Sequence, residues 1–151
     1  MALDLSTVST GVVVGANAWH SDRPYIFTVK PEEPKAPVAQ RIQSIATQLA
    51  LTAQNNRVDR VVIERLSSVR NGRTTRVLAM LHGAVLQAIH LYAPSAVVLW
   101  VHQSSAIAHI GAKRGKDGTA KRVRALGYAF KNQDEADALC IFLSEKLGEP
   151  L

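Results

Sequence analysis

The sequence predicts an α/β fold, with one mixed sheet and helices on both of its faces, formed as a single domain over residues 1–151. Three observations carry this expectation. Three strand-like segments precede the first helical pattern, later apolar runs alternate between helical and strand spacing, and 151 residues suit one folding unit. Consecutive strands predict an antiparallel meander, whereas strand–helix–strand units predict parallel crossovers. Five strands are expected in the sheet.

The elements follow in order. Residues 1–5 are apolar and run into Ser6-Thr7, a strand end followed by turn chemistry. Residues 10–19 are rich in valine and alanine, and residues 24–30 alternate, so both read as strands joined by a hairpin over 16–23. Three prolines within 30–37 make that stretch a loop. Val38, Ile42, Ile45 and Leu49 recur at helical spacing, which predicts a helix over 38–54 ended by Asn55-Asn56. Residues 60–64 form a short β-branched run, the pattern of a buried parallel strand. Leu78, Leu81, Val85 and Ile89 mark a second helix over 76–92, stopped by Pro94, and 96–101 read as another buried strand. A short helix over 104–110, capped by Ser104 or Ser105, precedes a glycine-flanked basic loop at 111–118. Thr119 reads as the N-cap of a helix to about Leu126, and a last helix is expected over 133–147.

Composition narrows the function classes. With 47% hydrophobic and 20% charged residues, the chain is not a disordered one. No apolar run approaches the length of a bilayer crossing, and the apolar start has no basic segment before it. A soluble, cytoplasmic protein without a membrane partner is therefore expected. The lone Cys140 excludes an internal disulfide and a cysteine zinc cluster, and the five histidines show no metal-ligand spacing. Cys140, Trp19 and Trp100 read as core or sheet-edge residues.

Charge points to a polyanion. Eighteen Lys and Arg against 12 Asp and Glu give +6. Ten of those cations lie in two short windows: Arg65, Arg70, Arg73 and Arg76 in one, and Lys113, Arg114, Lys116, Lys121, Arg122 and Arg124 in the other. The first window directly follows Glu64, which places it near any chemistry at that residue.

Four acids occupy informative positions. Asp4 lies within the first strand, Glu64 ends the run Val61-Val62-Ile63-Glu64, and Asp134 and Asp137 share one side of the last helix's first turns. Singly, each has an ordinary explanation as a loop contact, an ion pair or a helix-terminus charge. Together they can converge, because neighbouring parallel strands end on the same sheet edge. Four carboxylates in one pocket need cations, and an all-oxygen set suits Mg²⁺ or Mn²⁺. Two such ions are the usual apparatus for phosphodiester hydrolysis.

These residues carry a resemblance. Ala2-Leu3-Asp4-Leu5-Ser6-Thr7 with Ser9-Thr10-Gly11, then Val61-Val62-Ile63-Glu64, then Asp134-Glu135-Ala136-Asp137-Ala138-Leu139 resemble, in order and separation, the motifs of RuvC-type Holliday junction resolvases. The likeness covers nearly the whole chain and is to compact members such as those of bacteriophages. It implies an RNase H-like fold and a homodimer making paired nicks across a four-way DNA junction, leaving 5′-phosphate and 3′-hydroxyl ends. It also implies metal binding, two ions per site, by Asp4, Glu64, Asp134 and Asp137, with Lys121 as an essential basic residue. Arg70, Arg73, Arg76, Lys113, Arg114, Lys116, Lys121 and Arg122 are the candidate DNA contacts. Ser6-Thr7 replaces the family's usual glycine, and Leu66-Ser67-Ser68-Val69 lacks the aromatic many members carry after the glutamate.

The helix over 76–92 is the candidate dimer interface, since Leu78, Met80, Leu81, Leu86 and Ile89 span more than one of its faces. Two other readings share the acids: an RNase H-fold nuclease acting on flaps or RNA–DNA hybrids, and a catalytically silent nucleic-acid-binding relative. An actin-like ATPase, whose first strand also ends in Asp, needs two lobes that 151 residues do not supply.

Overall fold

The computed structural model describes residues 1–15, 23–66, 72–115 and 117–150. Its strands are β1 (Ala2–Asp4), β2 (Thr10–Val14), β3 (Tyr25–Val29), β4 (Arg60–Glu64), β5 (Val97–Val101) and β6 (Glu149–Pro150). Its helices are α1 (Val38–Asn55), α2 (Gly72–Tyr92), α3 (Gln103–His109), α4 (Gly118–Ala125) and α5 (Gln133–Leu143). The sheet order is β3-β2-β1-β4-β5-β6. The first three strands form the expected meander, with Leu3 opposite Val12 and Val12 opposite Phe27. β1, β4 and β5 run parallel, aligning Leu3 with Ile63 and Ile63 with Trp100.

Strand alternation sorts the core into two layers. Leu3, Leu5, Val61 and Ile63 meet α1 and α2 through Ile42, Ile45, Leu49, Leu81, Val85 and Ile89. Ala2, Val62 and Val101 meet α5 through Ala138, Leu139 and Phe142. This alternation puts Asp4 and Glu64 on the α5 face, two residues beyond Ala2 and Val62.

Several boundaries differ from the sequence expectation, each for a local reason. The last helix stops at Leu143, where the Ser144 hydroxyl bonds back to the Cys140 carbonyl at 2.8 Å. A short 3₁₀ turn, Glu145–Leu147, then delivers β6 as a sixth, two-residue strand beside β5. α4 begins at Gly118, so Thr119 lies inside it rather than capping it. α3 begins at Gln103 without a side-chain cap, not at a serine. α2 begins four residues before Arg76. Trp19 and the hairpin turn over 16–22 lie outside the described residues, although β2 and β3 pair as that hairpin requires.

Candidate active site

The site is assembled where β1 and β4 end and α5 begins. The turn after β1 is closed by Thr10, whose hydroxyl donates to the Ser6 carbonyl at 2.9 Å and accepts from the Ser6 N–H at 3.2 Å. β2 then passes directly beneath α5. A Cβ at Gly11 would collide with the Asp134 carbonyl, so glycine is what lets the helix start lie this close.

Glu135 fixes the angle of that helix. It is only 2% exposed, and it accepts hydrogen bonds from the Thr28 hydroxyl at 3.0 Å and the Lys131 N–H at 2.7 Å. The Asn132 side chain caps the helix by accepting from the Glu135 N–H at 2.9 Å and donates to Thr28 at 2.9 Å. β3 and α5 are thus tied together through one threonine. The acid between the two candidate ligands is a structural anchor, satisfied by protein donors.

The four acids influence one another as convergent carboxylates must. Burial, followed by the charges of Asp137, Glu64 and Asp134, pushes Asp4 up to about 8. Burial and then Asp137 push Glu64 up to about 7. Asp137 is also raised, chiefly by burial, against the opposing effect of hydrogen bonds from Gln133 and Thr119. Gln133 donates to both Asp137 oxygens, at 3.0 and 3.1 Å. Asp134 accepts a short hydrogen bond from the Ser9 hydroxyl.

Ser9, Thr119 and Gln133 therefore orient the acids, and the sequence patterns singled out none of them for this role. Only the fold brings residues 9 and 119 to α5, so no local spacing could reveal them. Cys140, buried as expected, lies near enough for Asp137 and Glu64 to add to the burial that raises its thiol to about 12.

The donor set fits a hard divalent cation, because it is all oxygen and the upward shifts of Asp4, Glu64 and Asp137 are of the kind a bound cation reverses. Among the described residues, no three His, Cys, Asp or Glu side chains are already drawn together at coordination distance.

The basic residues divide. Lys113 and Arg114 are exposed on the loop before α4, and Lys121 is exposed on α4, whose first turn brings Thr119 to Asp137. Arg73 and Arg76 are exposed at the start of α2. Arg122 is partly committed to the fold, donating from Nε to the Ile110 carbonyl at 2.5 Å. Arg124 lies over the Phe130 ring at 4.6 Å. Arg70 and Lys116 lie outside the described residues.

A cavity of about 260 Å³ opens beside Asp4 and Glu64, bounded also by Arg65, His82 and Gln103. His82 stacks on Trp100, with ring centroids 5.4 Å apart and planes within 13°. Its Nδ1 is buried without a hydrogen-bond partner among the described residues, a state that costs about 1–3 kcal/mol.

The chain has an α/β fold of RNase H-like architecture, with Asp4 and Glu64 at the carboxyl ends of parallel strands. Two structures of Thermus thermophilus RuvC share the architecture. One, in complex with a Holliday junction substrate, matches with a TM-score of 0.77 at 22% identity, over 99% of this chain and 97% of that one. Another matches at 0.76 and 22%, over 99% and 98%. The fold implied by the sequence resemblance is therefore met. No protein-family model and no curated protein sequence matches the chain.

Proposed function

We propose that the protein is a metal-dependent endodeoxyribonuclease that resolves four-way DNA junctions by paired phosphodiester hydrolysis. The observation that carries this reading is the convergence of Asp4, Glu64, Asp134 and Asp137, in which burial first and neighbouring carboxylates second raise Asp4, Glu64 and Asp137. Similarity to a RuvC structure in complex with a Holliday junction substrate supports the choice of DNA structure.

The chain's residues divide the work. Asp4 and Glu64 give a rigid base to the site because both stand on parallel strands. Asp134 and Asp137 close it from α5, held in orientation by Ser9 and by Gln133 with Thr119. Two Mg²⁺ or Mn²⁺ ions bound by these carboxylates would supply activation of water and stabilisation of charge on the leaving oxygen. Lys121 on α4, with Lys113, Arg114, Arg73 and Arg76, supplies positive charge for the DNA backbone. Arg70, Lys116 and Arg122 belong to the same two basic windows.

Paired nicking calls for two such sites, and a two-fold homodimer supplies them. A groove of about 590 Å³ between α1 and α2 supports self-association through α2. Small residues, including Ala39, Ala46, Gly83 and Ala84, line it, while Met80 and Leu91 stand exposed at its margin. Large side chains beside a groove of small ones can interlock with a second copy. Among the described residues no helix is long and apolar enough to cross a membrane, consistent with action in the cytoplasm, that of a host cell if the chain is phage-encoded.

The test compares cutting of a synthetic four-way junction with linear duplex, fork, flap and RNA–DNA hybrid, in Mg²⁺ and in EDTA. Metal-dependent symmetric nicks in the junction support the proposal. Preference for flap or hybrid assigns the same site to a different nuclease, and junction binding without cutting assigns a binding protein.

A further inference from the structure

Gln133 stands one helical turn before Asp137 on α5, and its Nε2 lies 3.0 and 3.1 Å from the two carboxylate oxygens. A donor almost equidistant from both oxygens sits between them, on the side of the carboxylate that a chelated cation takes. The contact at Asp134 is of another kind, since the Ser9 hydroxyl there engages Oδ2. At Asp137, the amide and a chelated cation compete for one place.

The two partners are held unequally. Asp137 is half-buried, whereas Gln133 is exposed at the start of α5 and its amide carries no charge. A neutral hydrogen bond from an exposed side chain is a weak tie, because water satisfies the amide as soon as it turns outward. A divalent cation meets the same carboxylate with full charges and wins the place. The hydrogen bonds still have to be given up first. A ligand that needs a state populated only in part binds more weakly by that fraction, so the bonds from Gln133 subtract from the affinity for the cation.

We propose that Gln133 is a displaceable latch on Asp137, which occupies the carboxylate in the metal-free protein, must be released before Asp137 joins a divalent cation, and so sets the cation concentration at which the site fills. The inference rests on the reading of Asp137 as a metal ligand in a nuclease site.

Gln133→Leu keeps the bulk of the side chain and removes the donor, whereas Gln133→Ala removes the side chain beyond Cβ. Calorimetric titration with Mn²⁺, without DNA and at pH 8 where protons compete least, should show each variant binding about tenfold more tightly than the wild type. Independently, the side-chain amide resonances of Gln133 in the wild-type protein should move as Mg²⁺ is added, as the amide passes from carboxylate to water. Unchanged or weaker Mn²⁺ binding in both variants overturns the latch, and the weaker case would make Gln133 a support for the ligand instead. Amide resonances that stay in place at saturating Mg²⁺ overturn it as well. A wild-type protein that cuts the junction while either of those results holds leaves the nuclease reading standing. Tightened binding in the variants of a protein that cuts no nucleic acid refutes the nuclease reading and keeps the latch. Absence of Mn²⁺ binding to the wild type overturns both. Should one variant fail to fold, the other and the resonances decide.

Discussion

Asp4 and Glu64 stand at strand ends where burial and neighbouring carboxylates raise them to about 8 and about 7. Both values exceed those of the unfolded chain, so the folded state binds more protons and loses stability as pH rises from about 4 through 8. Without metal, the melting temperature should therefore fall across that window, and Mg²⁺ should restore it most at pH 8, where the carboxylates must be charged. A calorimetric series in EDTA and in Mg²⁺ checks both halves; a metal effect independent of pH would contradict them. Asp4→Asn removes the proton problem together with the ligand. It should raise the metal-free melting temperature at pH 8 by several degrees while abolishing cleavage and sparing junction binding. These acids were legible in the sequence because each breaks a local rule, a charge in or at the end of an apolar strand. Ser9 and Thr119 break no such rule and gain meaning only from what the fold sets beside them.

At the scale of elements, α5 decides whether four acids become one site. Its placement rests on Gly11, which admits the helix against β2, and on Glu135, which ties its first turn to Thr28. Glu135→Gln should cost about 1–3 kcal/mol of stability and reduce cutting without touching a candidate metal ligand. Denaturant titration paired with a cleavage assay measures both effects; a stable variant with full activity would show that the anchor is dispensable. The helices and buried strands were readable from period alone. The end of α5 was not, because the pairing of β6 with β5 is a long-range outcome of the chain reversal that follows Ser144. α2 offers the second test at this scale. Leu91→Glu at the margin of the small-residue groove should convert a dimer to a monomer in sedimentation at micromolar concentration. An unchanged sedimentation coefficient would move the interface elsewhere.

Across the whole molecule, ten of the 18 Lys and Arg fall in two short windows of the sequence rather than being spread evenly. Arg73 and Arg76 follow β4 at the start of α2, and Lys113, Arg114 and Lys121 flank the start of α4. Neutralising Arg73 with Arg76, or Lys113 with Arg114, should weaken junction binding and lower the slope of log K against log salt by about one per lost phosphate contact. Unchanged slopes in both pairs would mean that the patches face away from DNA. The sheet order and the two core layers agree with the sequence pattern, since alternation along β1 and β4 sends leucine and isoleucine to one face and the acids to the other. The basic windows were visible as charge, but their division between DNA and fold was not, because Arg122 and Arg124 are drawn to a carbonyl and an aromatic ring that are remote in pattern. The most direct test of the account is cleavage of a synthetic four-way junction by the wild-type protein and by Asp4→Asn, in Mg²⁺ and in EDTA. Symmetric nicks leaving 5′-phosphate ends, made only by the wild type and only with metal, are predicted; cutting by Asp4→Asn at the wild-type rate, or by the wild type in EDTA, would contradict it.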